Sequence, residues 1–271
     1  MFMDIQRILR EYKIEPLRSR DQFFLADEAV LDCEVDSAGL TPEDAVLEIG
    51  AGVGNLTRKI AQHCRIVAIE EDRRFLPLLR KIENCDIIIG DALEILEQWR
   101  KSKTERKAER TLKSVKENSI NSFHPNSFCF NKIISNIPYA LSQKLLIEIL
   151  QHPWDTAVLC VQREFAEKLW KKEAIGVAVN DCCDSDIVKI VPADAFYPRA
   201  AESAIIILQQ KSLLEPDFWS FLRLAYQKRN KDVVNVIKNA PPELRHKKVH
   251  QLSTEELKQL WLALKREKLK S

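Results

Sequence analysis

Ala45-Val46-Leu47-Glu48-Ile49-Gly50-Ala51-Gly52-Val53-Gly54 decides the fold. A short apolar run meets three glycines at alternate positions. The next stretch, Asn55–His63, carries apolar residues at three- and four-residue spacing. That order reads as strand, tight turn and helix. Outward from it the rhythm repeats. Ile66–Glu70, Ile87–Ile89, Lys132–Ser135, Ala157–Val161 and Ala204–Leu208 are short, β-branched and bounded by polar or turn residues, so strands are expected there. Arg73–Lys81, Ser142–Leu150 and Arg163–Lys172 carry the helical spacing. Such alternation predicts an α/β fold with a doubly wound sheet and right-handed crossovers, whose ligands sit at the carboxyl ends of the strands.

Two segments break the rhythm. Lys101–Phe128 is charged, then rich in Asn and Ser, without apolar periodicity, and is expected to be a mobile basic insertion. After Lys211 the pattern is wholly helical. Asp217 is placed to cap a helix bearing Phe218, Phe221, Leu222 and Ala225. Ser253-Thr254-Glu255-Glu256 forms a capping box ahead of Leu257, Leu260, Trp261 and Leu264. The expected division is a sheet domain over 1–211 and a small basic helical domain over 212–271.

A chain of 271 residues with 45% hydrophobic content buries a core without covalent staples. Net charge is only +2, yet it is unevenly spread: thirteen Lys or Arg face five Asp or Glu from Arg223 to Ser271, and eight face three from Arg100 to Glu117. A basic tail on an acidic body fits a polyanionic partner; a solvated helix face explains the charge equally well. Seven cysteines without a C-x-x-C pair fit a reducing, cytoplasmic setting and no structural zinc. His246 and His250 lack further ligands at a telling spacing, so no metal is expected. Neither a signal peptide nor a run of ~18 apolar residues is apparent, which predicts a soluble protein away from membranes.

The glycine loop lets a ligand approach the backbone closely. Glu70, at the end of the second strand, stands 22 residues after Glu48, where a carboxylate accepts from both hydroxyls of an adenosine ribose. The loop reads G-x-G-x-G behind an acidic residue rather than G-x-G-x-x-G, so S-adenosylmethionine fits better than a pyrophosphate. Asp91 and Ala92, after the third strand, are placed to bind adenine, and Asp91 equally to cap a helix. The fourth strand ends in Asn136-Ile137-Pro138-Tyr139. An exocyclic amine is a poor nucleophile because its lone pair is delocalised into the ring. Asn136 and a neighbouring backbone carbonyl can accept its hydrogens, Pro138 can rigidify that carbonyl, and Tyr139 can stack a flipped base.

With Arg20-Asp21-Gln22-Phe23-Phe24-Leu25, A-I-E-E-D at 68–72, G-D-A-L at 90–93 and V-Q-R-E-F-A at 161–166, these motifs resemble the ribosomal RNA adenine dimethyltransferases. The likeness runs from about residue 20 to 271 and is closest in detail to archaeal members; Ala225–Lys231 and Leu252–Leu257 fit it too. It implies a Rossmann-like class I methyltransferase sheet with a small C-terminal all-helical domain. It implies that Gln22, Phe23 and Leu25 pack over S-adenosylmethionine, that Gly50 and Gly52 approach its methionine part, and that Glu70, Asp91 and Ala92 hold ribose and adenine. Asn136, counted with both sites, and Tyr139 would meet the target base, with Phe196 as second stacking aromatic. The expected reaction is dimethylation of two adjacent adenosines in a hairpin loop near the 3′ end of small-subunit rRNA during subunit assembly. A monomer is expected to act by direct in-line displacement without a metal, with Lys228, Arg229 and Lys231 on RNA phosphate.

The chain departs from the family pattern in places. Phe23 replaces a polar residue, Arg199-Ala200-Ala201-Glu202-Ser203 replaces a proline-rich segment, and the stretch between Lys172 and Ile187 is shortened without a recognisable strand entry. Two other readings stay open on the sequence: an assembly factor that is mainly non-catalytic, and an adenine methyltransferase for large-subunit rRNA or DNA.

Overall fold

The computed structural model describes residues 4–110, 130–237 and 240–268, and for 103–110 and 267–268 the backbone alone. Seven strands form one sheet: β1 Ala45–Ile49, β2 Arg65–Glu70, β3 Cys85–Ile89, β4 Lys132–Asn136, β5 Thr156–Gln162, β6 Cys183–Val191 and β7 Ser203–Gln210. Their order is β3-β2-β1-β4-β5-β7-β6. β1 to β5 run parallel, and β7 runs antiparallel to both β5 and β6. The order reverses between β1 and β4, so the crevice at their carboxyl ends is the natural place for a ligand.

Both faces of the sheet are covered. Leu47, Ile49, Val67, Ile69, Ile133 and Leu159 share one apolar core with the helices Ser142–Ile149 and Ala174–Cys182. Val46, Ile66, Ala68, Ile134, Val158 and Cys160 face the opposite core, with the helices Glu28–Ser37 and Asn55–Ile60. Burial on both faces explains why these strands read as continuous apolar runs. A two-stranded ribbon pairs Phe24 with Tyr197 and Leu25 with Phe196, bringing the N-terminal stretch across the top of the sheet.

β6 was not anticipated. Exposure alternates along its nine residues, with Asp184, Asp186, Val188 and Ile190 towards solvent, and among the described strands only β7 pairs with it. Asp184-Ser185-Asp186 and Lys189 interrupt its apolar residues, so no continuous run marks it. The expectation for Lys101–Phe128 is corrected in part: residues to Arg110 continue the helix Ala92–Arg110. Lys, Glu, Arg and Ala are good helix formers even with no apolar face to bury. Residues 111–128 lie outside the described part.

Asp217 does not cap its helix. The helix Pro216–Gln227 starts two residues earlier than such a cap implies, with Pro at its first turn and Glu215 at the N-cap, because proline's fixed φ suits that position. The Ser253–Glu256 capping box is present: Glu256 N donates to Ser253 Oγ at 3.2 Å and Ser253 N to Glu256 Oε2 at 2.9 Å. Among the described residues beyond Lys211 the regular elements are helices, and Phe218, Leu222, Leu257 and Trp261 join the core on the first face of the sheet.

The glycine loop is demanding. Gly52 and Gly54 have φ of +53° and +78°, and a Cβ on Gly54 would come within 2.8 Å of Ile82 Cδ1. Strain and crowding together predict that Gly54→Ala lowers stability by about 2 kcal/mol. Chemical denaturation checks this, and an unchanged midpoint would contradict it.

Candidate active site

Strand ends and the N-terminal stretch converge on a cavity of about 920 Å³, counting solvent at its mouth. Gln22, Phe23 and Leu25 form one side of it. Gly50 and Gly52 come from the loop after β1, Glu70 from the end of β2, and Asp91 and Ala92 from the turn after β3. Asn136, at the end of β4, completes the lining. All nine residues expected at the cofactor therefore share one cavity.

Glu70 is the hub. Its Oε2 accepts Gly52 N and its Oε1 accepts Asp72 N, both at 2.7 Å. Burial pushes its carboxyl up, against these backbone donors. Each oxygen keeps a lone pair for a further donor. Asp72 extends the network: it accepts Gln22 Nε2 at 2.9 Å and Arg74 Nη2 at 2.6 Å. The Arg74 hydrogen bonds hold Asp72 well below the usual carboxylate range. Gln22 Oε1 in turn accepts Leu17 N at 2.8 Å, so Gln22 orders the N-terminal stretch through Asp72. Asp91 Oδ1 accepts Leu93 N at 2.7 Å, capping the helix Ala92–Arg110 while also lining the cavity.

Glu48 differs from its sequence reading as a charged group. It is buried, and Oε2 has no partner among the described residues. Burial, with Glu70 adding repulsion, pushes the carboxyl up to about 8. At neutral pH it is therefore mostly protonated, and a cation placed beside it would favour ionisation.

A smaller slot of about 270 Å³ adjoins the cavity, sharing Asp21, Phe23, Asn136 and Pro138 with it. Tyr139 and Phe196 lie in its wall. Asn136 Oδ1 is buried and has no partner among the described residues. Pro138 O is taken by Leu141 N at 3.0 Å and Ser142 Oγ at 3.2 Å. Tyr139 is held by its hydroxyl, 2.7 Å from Ser203 Oγ, and its phenol is pushed up to about 12 by burial. Asp21, in a left-handed conformation, accepts Ala140 N through Oδ2 at 2.8 Å, tying the N-terminal stretch to the Asn136–Tyr139 turn.

Phe196 is 6% exposed and serves as an inner wall of the slot rather than an open platform. Phe23 also lines the slot, and its centroid lies 6.0 Å from that of Tyr139, with 18° between the planes. Sequence reasoning assigned Phe23 to the cofactor alone, and did not single out Asp21 or Ser203. Both act through partners more than sixty residues away in the chain, which no local pattern announces. Lys228, Arg229 and Lys231 lie at the end of the helix Pro216–Gln227 and beyond it, and all three are exposed. The described residues contain no cluster able to hold a metal ion and no helix long and apolar enough to cross a membrane. The six cysteines among the described residues are free thiols.

The Glu48 carboxyl sets a pH dependence. Its raised folded pKa contributes stability that is fully present below about 4.5 and is lost as pH rises through about 8. Glu48→Gln should therefore remove on the order of 3 kcal/mol of the decline in stability between about pH 5 and about pH 8. Thermal melts across that range check it; a variant with the wild-type slope would contradict the burial argument.

Comparison with known proteins agrees with this geometry. A family model described as ribosomal RNA adenine dimethylase matches residues 17–263. A Methanosarcina barkeri (strain Fusaro) protein named "Probable ribosomal RNA small subunit methyltransferase A" is 30% identical, over 96% of this chain and 91% of its own. The Alkaliphilus metalliredigens protein named "Ribosomal RNA small subunit methyltransferase A" is 29% identical, over 85% of this chain and 80% of its own. A crystal structure of a dimethyladenosine transferase from Plasmodium falciparum shares the fold, with TM-score 0.70 and 21% identity over 90% of this chain and 98% of that one. With motifs, topology and family model in agreement, the chain belongs to the ribosomal RNA adenine dimethylase family.

Proposed function

We propose that this protein transfers methyl groups from S-adenosylmethionine to the N6 amino groups of two adjacent adenosines in a hairpin loop near the 3′ end of small-subunit rRNA, during subunit assembly in the cytoplasm. The observation that carries the reading is Asn136 Oδ1, a buried acceptor with no partner among the described residues, at the seam between the cavity and the aromatic slot. A buried acceptor of that kind is costly unless a ligand donor completes it. The names of the relatives favour small-subunit rRNA over the other substrates left open by the sequence.

S-adenosylmethionine supplies a methyl group activated by its sulfonium charge. Glu70 and Asp91 hold its ribose and adenine, Ala92 leaves room for the ring, and Gly50 and Gly52 admit its methionine part. Gln22, Phe23 and Leu25 close over it and exclude water. In the slot, Asn136 Oδ1 and the carbonyl before Pro138 accept the adenine amino hydrogens, which draws the nitrogen's lone pair out of conjugation. Tyr139 offers the base a ring face, with Phe23 beside it and Phe196 in the slot wall. With the amine held beside the methyl donor in this way, positioning and water exclusion would provide most of the rate. Residues 1–211 carry this chemistry in a monomer. Residues 212–271, through Lys228, Arg229 and Lys231, and the basic 101–128 segment grip phosphate without reading sequence.

Purified protein given undermethylated small subunits and labelled S-adenosylmethionine tests the reading. Asn136→Ala should cut methyl transfer by at least ~100-fold while cofactor affinity, read by calorimetry, stays nearly intact. Equal loss of both would move Asn136 to a structural role. Neutralising Lys228, Arg229 and Lys231 together should weaken RNA binding and shallow its salt dependence by about 0.7 to 0.9 in slope per lost contact. An unchanged slope would leave these charges as a solvated face.

A further inference from the structure

Behind the slot lies a carboxyl that the chemistry above does not use. Glu34 sits in the helix Glu28–Ser37, beside Val30, Leu31 and Val35 on its buried face, and is 0% exposed. Neither carboxyl oxygen has a well-aligned hydrogen-bond partner among the described residues. The sheet turns three polar side chains to this helix. Asn136 pairs with Cys160 in register, and Cys160 lies in the same apolar core as Val30 and Val35. Glu48, two residues on from Val46 of that core, emerges on the same side. The neighbours are mutual: burial and the Glu48 charge push the Glu34 carboxyl up, while the Asn136 amide draws it down. Burial, and then Glu34, raise the Cys160 thiol.

A buried carboxyl with nothing to bond is a cost to the fold, and leucine would fill that helix position better. Asn136 has a complementary problem. The two ends of its amide are almost the same size, so packing alone does not choose which one faces the slot. With the nitrogen outward, its hydrogens would confront the amino hydrogens of adenine, donor against donor. We infer that Glu34 is a positioning residue for Asn136: its carboxyl accepts the Asn136 amide hydrogens and so keeps Oδ1 turned into the slot. The inference rests on the reading of Asn136 given above as the acceptor for the target amine. A protonated carboxyl serves as well as an ionised one, since its carbonyl oxygen still accepts, and it brings no unpaired charge under the site. Glu48 and Cys160 share the compartment, but Glu34 is the carboxyl whose proton affinity the Asn136 amide lowers.

Three full-length proteins test this: wild type, Glu34→Leu and Glu34→Gln. Leucine removes the acceptor; glutamine keeps a carbonyl oxygen in its place. Glu34→Leu should melt no lower than wild type and bind S-adenosylmethionine within about twofold, yet lose about tenfold or more in kcat for methyl transfer. Glu34→Gln should recover kcat to within about threefold of wild type. A second readout needs no catalysis. The Asn136 side-chain amide, followed by NMR, should exchange its hydrogens about tenfold faster in Glu34→Leu and at close to the wild-type rate in Glu34→Gln. Wild-type kcat and amide exchange in Glu34→Leu would overturn the assignment. So would equal damage from both substitutions, or parallel loss of folding and cofactor affinity in Glu34→Leu, which marks a packing role. A wild-type protein that transfers no methyl group would instead overturn the proposed function, and the amide exchange would still judge Glu34.

Discussion

The hydrogen bond from Gly52 N to Glu70 Oε2, 2.7 Å long, ties the loop after β1 to the end of β2. The rest of the site hangs from it. Gly52 can make it because its φ is positive and the Phe24 ring lies where a Cβ would project, 2.9 Å away. The same carboxylate takes Asp72 N, Asp72 takes Gln22 and Arg74, and Gln22 takes Leu17 N. One charge at a strand end thus orders the glycine loop, the turn after β2 and the N-terminal stretch over the cavity. Charge-assisted bonds of this kind are roughly twice as strong as neutral ones, and here they are partly withdrawn from water.

The second half of the site is organised differently. Around the slot, uncharged groups predominate: an amide, a phenol bonded to a serine hydroxyl, and carboxyls whose proton affinity burial raises. That division suits the chemistry proposed. A cationic cofactor is served by acceptors and latent negative charge, whereas a neutral aromatic base is served by ring faces and one well-aimed carbonyl oxygen. Asp21 joins the halves, since its bond to Ala140 N holds the stretch above the cavity against the turn that carries Asn136.

Much of this was legible in the sequence, for physical reasons. β1, β2, β4, β5 and β7 lie inside the sheet and are apolar on both faces, and edge strand β3 carries Ile87-Ile88-Ile89, so these stood out, and the motifs after β1 to β4 fall where strands end and ligands bind. β6 was missed because Asp184-Ser185-Asp186 and Lys189 break its apolar residues, which an edge strand exposed on one side tolerates. Phe23 was read for one neighbour when it has two, for its ring reaches the slot as well as the cavity. Ser203 and Asp21 act across the fold and leave no mark at their own positions. Glu34 did leave one: with Val30, Leu31 and Val35 on the apolar stripe, an acidic residue at helical spacing breaks the pattern. Such a break points either to a strained core or to a polar group with work to do.

The central claim is that the two cavities meeting at Asn136 form an adenine methylation site for small-subunit rRNA. Nucleoside mass spectrometry of small-subunit rRNA from cells with and without this gene tests it most directly. The account predicts that dimethyladenosine near the 3′ end disappears on deletion, returns with the wild-type gene and fails to return with Asn136→Ala. Undiminished dimethyladenosine in the deleted strain, or full restoration by the Asn136 variant, would contradict it.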